Sequence, residues 1–220
     1  GTNGNGGRLF QADSLTNQVV VAYSTLYTGA SAVSVNGHSF ASDKLYYKHG
    51  GAETTNDSTD YNAHYDPATG VLELKDYNSG PIIIGGSNAY DVTVKLTGTN
   101  TVTTSAPIGG VGNVCVGINI TNADNVTFIG DGTLTVNTNA GSGLTQVFGI
   151  WLDRSAPAAE NLTFQSGKLT VNVTAADTEA QVFGVSTIKV SAGGPITVAE
   201  GAELNVTLSS ASIGLANGLL

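Results

Sequence analysis

The 220-residue chain contains one cysteine, no methionine, five prolines and only eight lysines and arginines together. A single cysteine excludes an intrachain disulfide and any zinc site built from several thiolates. Eight basic residues against seventeen acidic ones, a formal charge of −9, leave too little for the Lys/Arg footprint that nucleic-acid binding requires. Charged residues make up 11% of the chain, against roughly 25% in a typical soluble domain. No run of about 18 apolar residues exists, so no membrane-spanning helix is expected. Disorder is excluded from the other side: 40% of the residues are hydrophobic, whereas disordered chains are poorly hydrophobic and highly charged. What is abundant is glycine, 29 residues, with much Thr, Asn, Ser and Val. That is the composition of an extracellular β-protein, and the length suits one sizeable or one elongated domain.

Self-similarity decides the fold. Four segments align: Val92 to Val102 (VTVKLTGTNTV), Val126 to Val136 (VTFIGDGTLTV), Leu162 to Val171 (LTFQSGKLTV) and Ile196 to Val206 (ITVAEGAELNV). They start 34, 36 and 34 residues apart. Each reads as a strand, a glycine-containing turn and a second strand, with apolar and polar residues alternating at period two. Gly98, Gly130, Gly167 and Gly201 mark the turns, where glycine supplies positive φ at little steric cost. A third strand recurs as Val116–Ile120, Phe148–Leu152, Phe183–Thr187 and a weaker Ile213–Leu215. No segment has the 3.6 period of an amphipathic helix.

Three short strands per repeat predict an all-β chain, a right-handed parallel β-helix in which each repeat is one coil. One coil cannot bury its inner face alone, and stacking coils about 4.8 Å apart solves this. Four inward columns are expected: Val92/Val126/Leu162/Ile196, Val94/Phe128/Phe164/Val198, Val102/Val136/Val171/Val206 and Val116/Phe148/Phe183/Ile213. The intervening Thr and Asn residues should face outward in polar ladders. Val71–Lys75 and Pro81–Gly85 read as strands of a shorter preceding coil. The alternative architecture is an antiparallel β-sandwich, which also suits short strands and frequent turns.

The expected organisation is a flexible segment at 1–14, a non-repeating N-terminal β cap at 15–65 and coils over 66–220. Strands are expected at Gln18–Tyr23 and Ala32–Phe40, the latter with an Asn36-Gly37 turn, and a polar loop at 48–62. The opening GTNGNGGRLF has no apolar h-region, and a removed leader before it is expected. The closing SIGLANGLL suggests a short apolar closing strand or a piece of a longer protein.

Tyr65 to Leu74 (YDPATGVLEL), followed by coils bearing GTNT at Gly98 to Thr101 and GDGTLTV at Gly130 to Val136, resembles a group of secreted or surface proteins of gut-type bacteria. In that group a small N-terminal β-segment precedes a right-handed parallel β-helix, and members are often labelled carbohydrate-binding. The coils are similar to the wider pectate-lyase-like β-helix superfamily. The resemblance covers roughly residues 60–210 and rests on structural motifs. It implies the fold and a location outside the cell more than an activity.

That superfamily includes lyases and hydrolases of acidic polysaccharides. Glycoside hydrolysis needs two facing carboxyl groups, and a lyase needs a base with a stabilised enolate. The acids here are scattered. Asp91, Asp124 and Glu160 project to one corner of the repeat, as an acidic stripe or a solvated edge that discourages pairing. His38, His49 and His64 form no HxH or HExxH pattern and are expected on the surface or in the cap. Gly130-Asp131-Gly132 reads as a tight turn, Cys115 as a small buried thiol. The six N-x-S/T sequons read as turn-to-strand junctions. No catalytic residue, metal ligand or cofactor is assigned.

Trp151 lies in FGIWLDR. With Phe148, Ile150 and Leu152 inward, period two points it outward, in the column of Asn119 and Ser186. Beside Asp153 and Arg154 it is a candidate sugar platform, and packing under the following loop is the competing expectation. Tyr46, Tyr47, Tyr61, Tyr65, Tyr77 and Tyr90 form a second aromatic concentration. They are expected to pack the cap onto the first coil, with Tyr46 and Tyr47 as candidate ligand contacts. The expected function is a non-catalytic secreted or cell-surface module for glycan binding or adhesion. The alternatives are a structural stalk segment of a larger surface protein and a polysaccharide lyase or hydrolase.

Overall fold

The computed structural model describes residues 30, 32–40, 45–50, 58–85, 90–108, 112–153, 161–177, 179–187, 194–210 and 216–219. Every element among them is a strand. Four open the fold: β1 (Ala32–Val35), β2 (His38–Ser39), β3 (Tyr46–Tyr47) and β4 (Ala63–Asp66). Five triples follow: β5 (Val71–Lys75), β6 (Asn78–Ser79) and β7 (Ile82–Gly85); β8 (Tyr90–Thr97), β9 (Thr99–Thr104) and β10 (Val114–Thr121); β11 (Ala123–Gly130), β12 (Thr133–Ala140) and β13 (Gln146–Asp153); β14 (Asn161–Phe164), β15 (Lys168–Ala175) and β16 (Gln181–Ser186); β17 (Ile196–Val198), β18 (Glu203–Ser210) and β19 (Ala216–Leu219).

Like members of successive triples stack in parallel into three sheets, β5-β8-β11-β14-β17, β6-β9-β12-β15-β18 and β7-β10-β13-β16-β19. This is a parallel β-helix, not the sandwich. Val92, Val126, Leu162 and Ile196 lie in one register, as do Val102, Val136, Val171 and Val206. The turn glycines Gly98, Gly130, Gly167 and Gly201 all have positive φ, from 68° to 114°, which a side chain disfavours.

The N-terminal edges of two sheets are closed by antiparallel strands. The hairpin β1–β2, turning at Asn36-Gly37, lies against β7, and β3–β4 lies against β5. This covers the row of unpaired backbone groups that a parallel edge would present. The mouth of the solenoid is plugged by Tyr47 and Tyr77, 1% and 0% exposed. The Tyr47 hydroxyl pairs with Ser79 Oγ at 3.1 Å and accepts from Asn36 Nδ2 at 3.3 Å. Tyr65 donates to the Ala30 carbonyl at 2.8 Å. Tyr47 thus meets the first coil through Ser79 and the Tyr77 ring, whereas the Tyr65 bond joins two residues of the expected cap. The expected strand at 18–23, the 1–14 segment and Ile213 lie outside the described residues.

Two columns differ from expectation. Val198 is in register with Phe164 but 44% exposed, because among the described residues no further strand pairs with β17 on that side. Val116, Phe148 and Phe183 are in register but form, with Val114, a buried cluster separate from the solenoid core. The reason is the glycine that follows each of them. Cys115 and Val147, then Ile118 and Ile150, belong to the main core. A Cβ on Gly117 would fall 2.9 Å from Thr138 Oγ1 and one on Gly149 3.1 Å from Val173 Cγ2, so both glycines also face inward. Two consecutive inward residues shift the alternation, and the residue before the glycine points out.

Candidate functional site

The outward face of the β7, β10, β13 and β16 sheet carries the first candidate site. Ile83, Asn119, Trp151 and Ser186 are neighbours across the four strands, so their Cα atoms follow one another at about 4.8 Å. The glycine slip puts Phe148 and Trp151 on the same side of β13. Their rings stack at 4.7 Å between centroids, 10° from parallel, and Phe148 stacks on Phe183 at 4.7 Å and 11°. Ile108, from the segment after β9, packs on this cluster. Trp151 is half-buried, consistent with both a platform and partial packing.

Asp153, two residues along the same face, is half-buried. Burial pushes its carboxyl above the ordinary carboxylate range. Asn119 is 6% exposed, and its Oδ1 is a buried acceptor without a hydrogen-bond partner. Such an atom costs about 1–3 kcal/mol of desolvation with nothing in return. Arg154, expected beside Trp151, lies outside the described residues.

The second group occupies the outward face of β3, β4, β5 and β8. Tyr46, His64, Glu73 and Lys95 are successive register neighbours across it. Tyr46 stacks on His64 at 4.2 Å and 9°, and Tyr61 meets Tyr46 at 5.2 Å. Glu73 accepts from the Tyr61 hydroxyl at 2.8 Å and pairs with Lys95 at 3.0 Å. Burial and the Glu73 carboxylate raise the Tyr61 hydroxyl to about 12. Burial lowers the His64 pKa against the opposing pull of Glu73 and Asp66. Burial raises that of Glu73, but its bonds from Lys95 and Tyr61 outweigh this and hold it below the usual range. With Glu73 already bonded to Tyr61 and Lys95, this group reads as a tie between the antiparallel strands β3–β4 and the first coils.

The expected ligand contacts are thus divided. Trp151 and Asp153 share one face, Tyr46 sits on another sheet, and Tyr47 is in the core. Asn119 entered the sequence reading only as the register equivalent of Trp151. Its burial depends on what covers the sheet, which no local pattern records. Phe148 and Phe183 were legible as a column but not as an outer one.

Of the acids of the expected corner stripe, Asp91 is bonded into a ladder, with Asn125 Nδ2 donating to Asp91 Oδ1 at 2.7 Å and Asn161 Nδ2 to Asn125 Oδ1 at 2.8 Å; the register neighbour of Asp91 is Asn125 rather than Asp124, and Glu160 lies outside the described residues. Three sequon asparagines, Asn125, Asn161 and Asn172, sit in such ladders, the last donating to Asn137 at 3.0 Å. Among the described residues, no group of three His, Cys, Asp or Glu converges as a metal site, and no helix is long and apolar enough to cross a membrane. No protein-family model matches the chain, and no match is found among curated proteins or solved structures.

Proposed function

We propose that this chain is a non-catalytic glycan-binding module, secreted or held at a cell surface, and that it contacts sugar through the face carrying Trp151. The observation that carries this reading is the half-buried indole on the outside of the solenoid, stacked on Phe148 and flanked by Asp153 and Asn119. A rigid ring held by a second ring presents an apolar face to the C–H side of a pyranose at little entropic cost. The polar groups beside it supply orientation. The low charge and Thr/Asn-rich outer walls support a location outside the cell.

A glycan array probed with the full chain tests this. Binding that falls about tenfold or more in Trp151→Ala is expected from loss of an aromatic anchor. An array without binding, or binding indifferent to Trp151→Ala, removes the reading. The unbroken eight-residue registers linking β12, β15 and β18 favour a second reading, a stiff spacer.

A further inference from the structure

We infer that this chain forms a two-fold symmetric dimer through the C-terminal end of its solenoid, where β18 of one copy pairs antiparallel with β18 of the other about Val206. The inference is independent of the glycan-binding reading. Among the described residues β17, β18 and β19 each end a sheet, and β18 is the longest of the three at eight residues. Proteins blunt such an edge by keeping it short or by placing a lysine, a proline or a bulge on it. The N-terminal end follows that rule: its sheets finish on β2, β3 and β6, of two residues each. The β18 edge has none of these devices and keeps an unbroken register with β15. Behind it Leu204, Val206 and Leu208 are only partly buried, and Val198 on β17 is 44% exposed.

The backbone fixes how a second copy fits. The Glu203 amide donates to the Gly167 carbonyl at 3.0 Å. Residues of a parallel strand bond alternately to either side, so Glu203, Asn205, Thr207 and Ser209 bond to β15. The amides and carbonyls of Leu204, Val206, Leu208 and Ser210 then point to the open edge. An antiparallel partner bonds such residues in pairs that exchange both hydrogen bonds. With the axis at Val206, Leu204 of each copy meets Leu208 of the other and the two Val206 meet each other, so apolar inner residues face apolar ones. An axis at Thr207 sets Leu204 against Ser210 instead, and one at Asn205 pairs fewer edge-facing residues.

Charge fits the same register. Each Glu203 lies opposite Ser209 of the other copy, and the two Glu203 stand about 20 Å apart along the joined strands, more than twice the screening length at physiological salt. The axis that maps β18 onto itself exchanges the other two sides of the coil, so β17 of one copy faces β19 of the other and all three open edges are covered. Both outer ends of the doubled solenoid are then the ends plugged by Tyr47 and Tyr77, as a solenoid with capped termini requires. Such an isologous contact closes on two copies. Head-to-tail stacking would have to dock β18 on the two-residue edge of β6.

Sedimentation and light scattering of the full chain over a wide concentration range test this, with wild type, Val206→Pro, Ser209→Glu and Ser209→Lys compared. Wild type should be a dimer. Val206→Pro removes an edge-facing N–H, which an edge strand tolerates, and should be a folded monomer. Ser209 is exposed and its register neighbour within the chain is Thr174, so its variants keep the fold. Ser209→Glu sets a carboxylate against Glu203 twice across the axis and should raise the dimer Kd about fivefold; Ser209→Lys should lower it by a similar factor. High salt should narrow that difference. A wild type that stays monomeric, as it would with another segment over the edge, overturns the inference. So does growth beyond two copies, or a dimer equally tight in both Ser209 variants. If Val206→Pro fails to fold, the Ser209 pair decides.

Discussion

Asn100 occupies a column that is leucine in the next three coils, at Leu134, Leu169 and Leu204. It is fully buried, and its Oδ1 accepts from the Tyr77 amide at 2.9 Å while Nδ2 donates to the carbonyls of Thr97 and Thr133 at 3.2 and 3.0 Å. The amide closes the interior where the short first coil leaves backbone groups open. Asn100→Ala should cost about 2–3 kcal/mol, because it orphans buried partners as well as losing bonds; urea unfolding reads this directly. Asp153 is the opposite case. Its folded carboxyl holds a proton more tightly than the unfolded one does, so it favours folding at low pH and loses that contribution as pH rises through the raised pKa. Asp153→Asn should therefore raise Tm at neutral pH, with the gain disappearing at about pH 3, below the unfolded pKa. A residue kept at a cost to stability is a mark of a functional position.

A phenylalanine or valine followed by glycine and a β-branched residue lies within the third strand of three successive coils, and the glycine is what re-aims that strand. Gly149 lies so near Val171 that an added methyl would meet its Cγ1, and its Cβ would also stand 2.6 Å from the Gly184 carbonyl oxygen. Gly149→Ala should cost about 1–3 kcal/mol by overpacking. The displaced strand should also loosen the Phe148–Trp151 stack, visible as a shift in the emission of the single tryptophan. On the cap side, the row from β3 to β8 holds His64 neutral against Tyr46, Tyr61, Glu73 and Asp66. An imidazole whose folded pKa is lowered favours folding above its unfolded value and loses that contribution as pH falls through the folded one. His64→Phe should flatten the fall in Tm as pH drops below about 6.5, the unfolded value.

Across the molecule, stability is a sum over neighbouring coils, and its distribution follows from what lies at each end. The N-terminal mouth is plugged by Tyr47 and Tyr77 and edged by antiparallel strands. At the other end Ile196, Leu204, Val206 and Leu208 are only partly buried and Val198 is exposed. In the monomer, amides of β17 and β18 should exchange with deuterium faster than those of β12 and β15, which lie between paired strands on both sides. Equal protection along the solenoid would contradict this gradient.

The coil period, the turn glycines and the columns of Val92 and Val102 were legible in the chain, because stacking demands that each repeat carry the same apolar spacing. The pairing of Cys115 with Val147 and of Asn119 with Trp151 was legible for the same reason. The side on which Phe148 lies was not. Period two assumes an unbroken strand, and the inward glycine breaks it through contact with a neighbouring sheet distant in sequence. Nor did any local pattern separate Tyr46 from Tyr47 or mark the unmatched oxygen of Asn119. Burial is a property of what folds over a residue, so the outer face that defines the candidate site exists only once the coils have closed.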